Sequence, residues 1–240
     1  MRILTEIEII YVRGGDKTAP AIAEATGMKY GIRHDYTSYA PAVHMLDIDF
    51  HRYEQLPFAE KRAFWQVYRA RVIELKPTIA MTADYFDFAG SGDLLNEQLH
   101  DLQILQVPRV MVCPKFPQAI DGIPDWCIVA VSVPAKSYAG FLPDYDHLKG
   151  RRVHLLGGKP ELQADVARKI LGAGGEIVSM DGSYHAMKAA KGQWWDGGRW
   201  VQLRRKRVST TDLAIASGKN IVRYLRDACR EKQRSFWEEV

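Results

Sequence analysis

The chain has 240 residues, a formal net charge of +4, 47% hydrophobic and 26% charged residues; these proportions exclude a disordered or low-complexity chain and suit one large α/β domain. No run approaches the roughly 18–20 apolar residues of a membrane span, and the opening Met-Arg-Ile-Leu-Thr-Glu-Ile-Glu has acids where a signal peptide carries an apolar run, so a cytoplasmic location is expected. Cys113, Cys127 and Cys229 are odd in number and widely spaced, which excludes a disulfide framework or a CxxC zinc pattern.

In chain order, short runs rich in Val, Ile and Leu fall at 7–12, 43–46, 78–82, 109–113, 127–131, 153–156 and 176–180. Near-continuous apolar runs of this length suit strands covered on both faces, as in parallel sheets. Between them, residues 60–75, 94–105 and 161–171 show helical spacing, the last framed by Pro160 at its start and Gly172-Ala173-Gly174-Gly175 at its end. After the seventh run, residues 193–203 read as an antiparallel hairpin turning at Asp196-Gly197-Gly198, and a long basic helix follows over about 211–237. Alternating strands and helices predict right-handed βαβ units closing into a TIM-like (β/α)8 barrel. One domain over 1–240 is expected, with the 193–240 hairpin and helix packed on the barrel.

Acids end three of the runs: Asp47, Asp84 and Asp181. In a parallel barrel all strands point the same way, so these carboxylates converge on the rim where catalytic residues collect. Each alone also suits a turn or a helix cap, and Asp49 and Asp87 are assigned that role. The segment Leu155-Leu156-Gly157-Gly158-Lys159-Pro160 runs a strand through two glycines into a helix N-terminus, which lets a ligand approach backbone N–H groups.

Val153-His154-Leu155-Leu156-Gly157 with Pro160-Glu161, followed by Gly174-Gly175-Glu176-Ile177-Val178-Ser179-Met180-Asp181, resembles the last two barrel strands of the tRNA-guanine transglycosylase superfamily. The resemblance covers roughly 41–192 and is specific in its final third. It implies that Asp181 is the nucleophile, that Asp84 binds a guanine-like base, and that Asp47 handles protons, with Asp49 an alternative because the family's Asp-Ser-Gly-Gly is here Asp47-Ile48-Asp49-Phe50. Ser132, Val133, Gly157 and Gly158 would lie against the base. The clustered-cysteine zinc site of the tRNA enzymes is absent from the sequence. The chain is most similar to the compact branch, found in bacteriophages and bacterial DNA-modification clusters, that exchanges guanine in DNA for a 7-deazaguanine such as preQ0.

The chemistry asks for these residue types. Displacement at C1′ passes through an oxocarbenium-like state that a carboxylate can stabilise and trap, with no metal or redox cofactor. The expected partners are DNA, single-stranded or with a flipped guanine, and the free base. Lys188, Lys191, Arg204, Arg205 and Arg207 are candidates for phosphate contacts, although a basic helix face is also simply a solvated one. Tyr184, His185, Trp194, Trp195 and Trp200 could stack on bases or form a hydrophobic cluster under the hairpin. Two other readings stay open: a metal-dependent phosphoesterase or nuclease using Asp47, Asp49, His51 and Asp84, and a non-catalytic nucleic-acid-binding barrel.

Overall fold

The computed structural model describes residues 6–134, 142–203 and 208–238, with side chains as far as Arg230. Eight parallel strands form a closed barrel in sequential order: β1 (Glu8–Val12), β2 (Lys29–Arg33), β3 (Met45–Asp47), β4 (Ile79–Met81), β5 (Arg109–Val112), β6 (Ile128–Ser132), β7 (Arg152–Leu156) and β8 (Glu176–Asp181). The ring closes where β8 pairs with β1, Ile10 standing opposite Asp181. The (β/α)8 barrel expected from the alternating pattern is therefore the observed fold.

All seven expected strands are present, and β2 is an eighth that the apolar pattern does not reveal. Basic residues bound it and glycine centres it. The glycine has a steric reason: a Cβ at Gly31 would stand 3.0 Å from Val12 Cγ2 and 3.3 Å from Met45 Cβ, so a side chain there would crowd the barrel interior.

Helices α3 (Phe58–Leu75), α4 (Ser91–Ile104) and α5 (Pro160–Gly172) match the expected ones, Pro160 standing in the first turn of α5. Shorter α1 (Ala19–Thr26), α2 (Phe50–Gln55) and α6 (Tyr184–Ala189) carry too little periodicity to be read in advance. The hairpin pairs β9 (Gln193–Trp195) with β10 (Trp200–Gln202) antiparallel. The last helix, α7 (Thr210–Glu238), packs on α1, α5, α6 and β9. Its inner stripe is Leu213, Ser217, Ile221, Leu225 and Ala228, and Ser217 Oγ and Asn220 Nδ2 take up the backbone N–H and C=O of Trp195 at 3.0 and 2.8 Å. No helix among the described residues is long and apolar enough to cross a membrane.

The barrel interior is apolar in the middle and polar at both ends. Strand alternation turns Ile10, Met45, Met111, Ile128 and Ala130 inward. At the amino-terminal end, Arg109 reaches Glu8 at 2.7 Å and His44 Nε2 at 3.0 Å, and His44 Nε2 stands 3.2 Å from Glu8. The carboxyl-terminal end collects Asp47, Cys113, Ser132 and Asp181.

Candidate active site

Asp181 is the last residue of β8 and is buried. Its direction is set by an irregularity lower in the strand: β7 and β8 pair Val153 with Ile177 but His154 with Ser179, so Val178 is an extra residue. That bulge brings Ser179 and Asp181 to the same inward face. The backbone N–H of Gly157 donates to Asp181 Oδ1. Behind them, Gln163 on α5 donates through Nε2 to the carbonyl oxygens of Gly157 (2.7 Å) and Asp181 (2.6 Å), tying both strand ends to one helix.

Asp47 projects into the same mouth from β3. The Ile48 N–H donates to its Oδ1 at 2.8 Å. Burial, then the negative charge of Asp181, push the Asp47 carboxyl up to about 8, with Asp84 adding in the same direction. Three acids thus share one electrostatic environment. Just below Asp47, the Tyr68 hydroxyl from α3 donates to Leu46 O and accepts from Met81 N, both at 2.9 Å, where direct β3–β4 pairing ends.

Asp84 follows β4 and forms a buried ion pair with Lys115, Nζ to Oδ2 3.0 Å. Lys115 Nζ also stands 3.1 Å from Ser132 Oγ, which lies 3.4 Å from Cys113 Sγ. Burial raises the Asp84 carboxyl above its ordinary range, and Lys115 draws it part of the way back. Gln98 on α4 fixes the preceding residue: its Oε1 accepts from Ala83 N at 2.9 Å while its Nε2 donates to Tyr53 OH at 3.2 Å.

The expected residues divide into those that meet and those that do not. Asp47, Asp84, Asp181, Ser132, Val133, Gly157 and Gly158 all lie at the mouth. Gly158 has φ +87°, and a Cβ there would fall 2.6 Å from Val133 Cγ1, so the turn after β7 packs on the end of β6. The backbone N–H of Gly157 donates to Asp181, so at this turn it anchors the carboxylate. Asp49 leaves the mouth, since its Oδ1 caps α2 by accepting from Arg52 N at 3.3 Å and its Oδ2 faces Arg33 at 3.6 Å. Of Asp47 and Asp49, only Asp47 faces the mouth.

Of the two arrangements open to the aromatic residues, the structure has the hydrophobic cluster. Trp195 is fully buried and His185 nearly so. Trp195 packs on Trp200 and Tyr224, and Trp200 on Tyr184, at centroid distances of 5.2, 5.5 and 5.4 Å, making a hydrophobic cluster under the hairpin rather than a stacking platform. Lys188 belongs to that cluster: its Nζ bonds Gln193 Oε1 at 2.9 Å and lies over the Tyr184 and Trp200 rings. Lys191 is exposed. Arg204, Arg205 and Arg207 lie outside the described residues. His51 is exposed and stacks on Phe50, and among the described residues no group of three or more His, Cys, Asp or Glu is placed to hold a metal ion.

Lys115, Gln163, Tyr68 and Gln98 are site residues that the sequence reading passed over. Lys115 carried a usable signal, since it stands three residues beyond the end of β5, as a charged strand-end residue like the three acids. The others sit on helices, Tyr68 and Gln98 in mid-helix and Gln163 in the first turn of α5, where a polar residue looks like any solvent-facing one.

Fold and site together define an eight-stranded parallel β/α barrel with an acidic cluster and one buried lysine at its carboxyl-terminal mouth. The chain belongs to a family of unknown function (DUF6610), whose model matches residues 23–237. No curated protein matches it. Among solved structures it is similar to the crystal structure of a "putative fructose-1,6-biphosphate aldolase" from Coccidioides immitis, with TM-score 0.52 and 11% identity over 97% of this chain and 93% of that one. At that identity the likeness establishes the barrel and no shared chemistry.

Proposed function

We propose that this barrel is an enzyme, a transglycosylase that exchanges guanine in DNA for a 7-deazaguanine base through a glycosyl ester on Asp181. The observation that carries the reading is the coupling of Asp47 to Asp181 in one barrel mouth, one acid holding its proton to about pH 8 beside a second that is anchored by a backbone N–H. Such a pair separates acid from nucleophile, as retaining glycosyl transfer requires.

An Asp181 oxygen attacks C1′ as the C1′–N9 bond breaks, and the Asp47 proton goes to the departing guanine. The Asp47 carboxylate then takes the N9 proton of the incoming base, whose nitrogen attacks C1′ and releases Asp181. Asp84 with Lys115 offers an acceptor beside a donor, matching the N–H and C=O groups on the lactam edge of a guanine-like base. Lys191, with Arg204, Arg205 and Arg207, would hold phosphates.

The test is to incubate the protein with DNA containing labelled guanine, with and without preQ0. Release of labelled guanine that depends on preQ0 is expected. No release from DNA or from tRNA would overturn the reading.

A further inference from the structure

His154 stands at the centre of the barrel, on β7, and is fully buried where the neighbouring inward positions are Ala130, Ile128 and Met111. An imidazole at such a position has to satisfy two ring nitrogens. Nδ1 meets Ser179 Oγ at 2.8 Å. Nε2 has no hydrogen-bond partner and faces Asp181 Oδ1 at 3.8 Å. A buried polar atom left unmatched is destabilising, so an apolar residue would serve the core better.

The tautomer follows from electrostatics. If Nδ1 carried the proton, the Nε2 lone pair would point at a carboxylate oxygen, which is repulsive. If the Ser179 hydroxyl donates to Nδ1, the proton sits on Nε2 and points at an acceptor. Ser179 is itself fully buried and too deep to meet a substrate, so the order Ser179, His154, Asp181 runs from the core toward the mouth and ends on the carboxylate.

We propose that His154 is the positioning residue of Asp181. Resting on the transglycosylase reading, it holds Oδ1 together with the Gly157 N–H and so leaves Oδ2 as the oxygen that bonds C1′. Closing the gap by about 1 Å when the mouth fills brings Nε2–H to charge-assisted hydrogen-bond distance, and such contacts commonly tighten only with substrate bound. The bulge at Val178 is what makes the arrangement possible, because without it Ser179 would not stand opposite His154.

The experiment combines exchange kinetics with a spectrum that does not depend on turnover. H154L is expected to lower kcat about 10- to 100-fold with KM for the free base unchanged, S179A to lower it several-fold, and H154Q, whose amide N–H reaches toward the Nε2 position, to recover most of the loss. Undiminished kcat in H154L, or a loss in which H154Q shares fully, overturns the proposal. In a 1H–15N spectrum of histidine-labelled protein, the signal missing from H154Q must show the proton on Nε2, and it must shift in D181N. A proton on Nδ1 overturns the assignment. If the wild type releases no guanine while that signal behaves as stated, the base-exchange reading fails and the His154–Asp181 assignment stands.

Discussion

Asp181 is, after burial itself, the largest reason that Asp47 keeps its proton to about pH 8. The two residues come from β3 and β8 and share the top of the barrel interior, so what one does chemically is conditioned by the charge of the other.

This coupling has a cost in stability with a defined sign. The Asp47 carboxyl is raised from 3.8 to about 8 in the folded chain, so between those values the unfolded chain has released a proton that the folded one retains. Stability therefore falls as pH rises from about 4 to about 8. D47N should remove the slope and be more stable than wild type at pH 8 by about 2 kcal/mol, a figure below the full shift because Asp47 keeps some contact with solvent at the mouth. Urea titrations at pH 5 and 8 check this; equal wild-type stability at both would contradict it. The same substitution should abolish base exchange.

At the opposite end, the Glu8–His44–Arg109 cluster predicts an acid-sensitive barrel floor. Burial opposes ionisation of Glu8, but hydrogen bonds from His44 and Arg109 and the Arg109 charge outweigh it and hold the carboxyl down to about 2. With the folded value below the ordinary 4.5, the stabilisation is present above about 4.5 and lost as pH falls toward 2. E8Q should be less stable at pH 7, and its deficit should shrink at pH 2.5. A deficit independent of pH would mean that Glu8 contributes packing alone.

Gln163 joins two carbonyl oxygens at the strand ends that form the site. Q163L leaves both without that donor and should destabilise the fold by about 1–3 kcal/mol, while freeing the β7–α5 turn that anchors Asp181. The expected outcome is a lowered urea midpoint together with a lowered kcat. A stable Q163L with full kcat would show that the clasp is dispensable.

The basic segment is tested by salt. Neutralising Arg204, Arg205 and Arg207, or Lys191, should weaken DNA binding for all sequences alike and flatten log affinity against log salt by roughly 0.7–0.9 per lost contact. Lys188, held by Gln193 and two aromatic rings, should matter much less to that slope. A loss of affinity with the slope unchanged would assign the segment to the fold.

Much of the fold was legible because strands covered on both faces read as continuous apolar runs, as Ile128-Val129-Ala130-Val131 does. β2 escaped because its centre, Gly31, was selected for absence of bulk. The acidic rim was legible for a geometric reason, parallel strands delivering their last residues to one end. What those acids touch was not. Lys115 stands three residues past β5 with no apolar run to mark it, the bulge at Val178 leaves no mark in composition, and the Gly157 N–H serves Asp181, which only the β7–β8 register decides. The tryptophans suited either a stacking surface or a hydrophobic cluster in sequence, and the docking of α7 through Ser217 and Asn220 onto Trp195 turns that one inward.

The proposed exchange depends on a covalent bond from Asp181 to C1′. Guanine-containing DNA is incubated with the protein without free base, the mixture is denatured, and a protein–DNA adduct is sought by gel and by peptide mass spectrometry. An adduct is expected on the peptide carrying Asp181, with chase by preQ0 into modified DNA and no adduct in D181N. An adduct on another residue, or base exchange that persists in D181N, would contradict it.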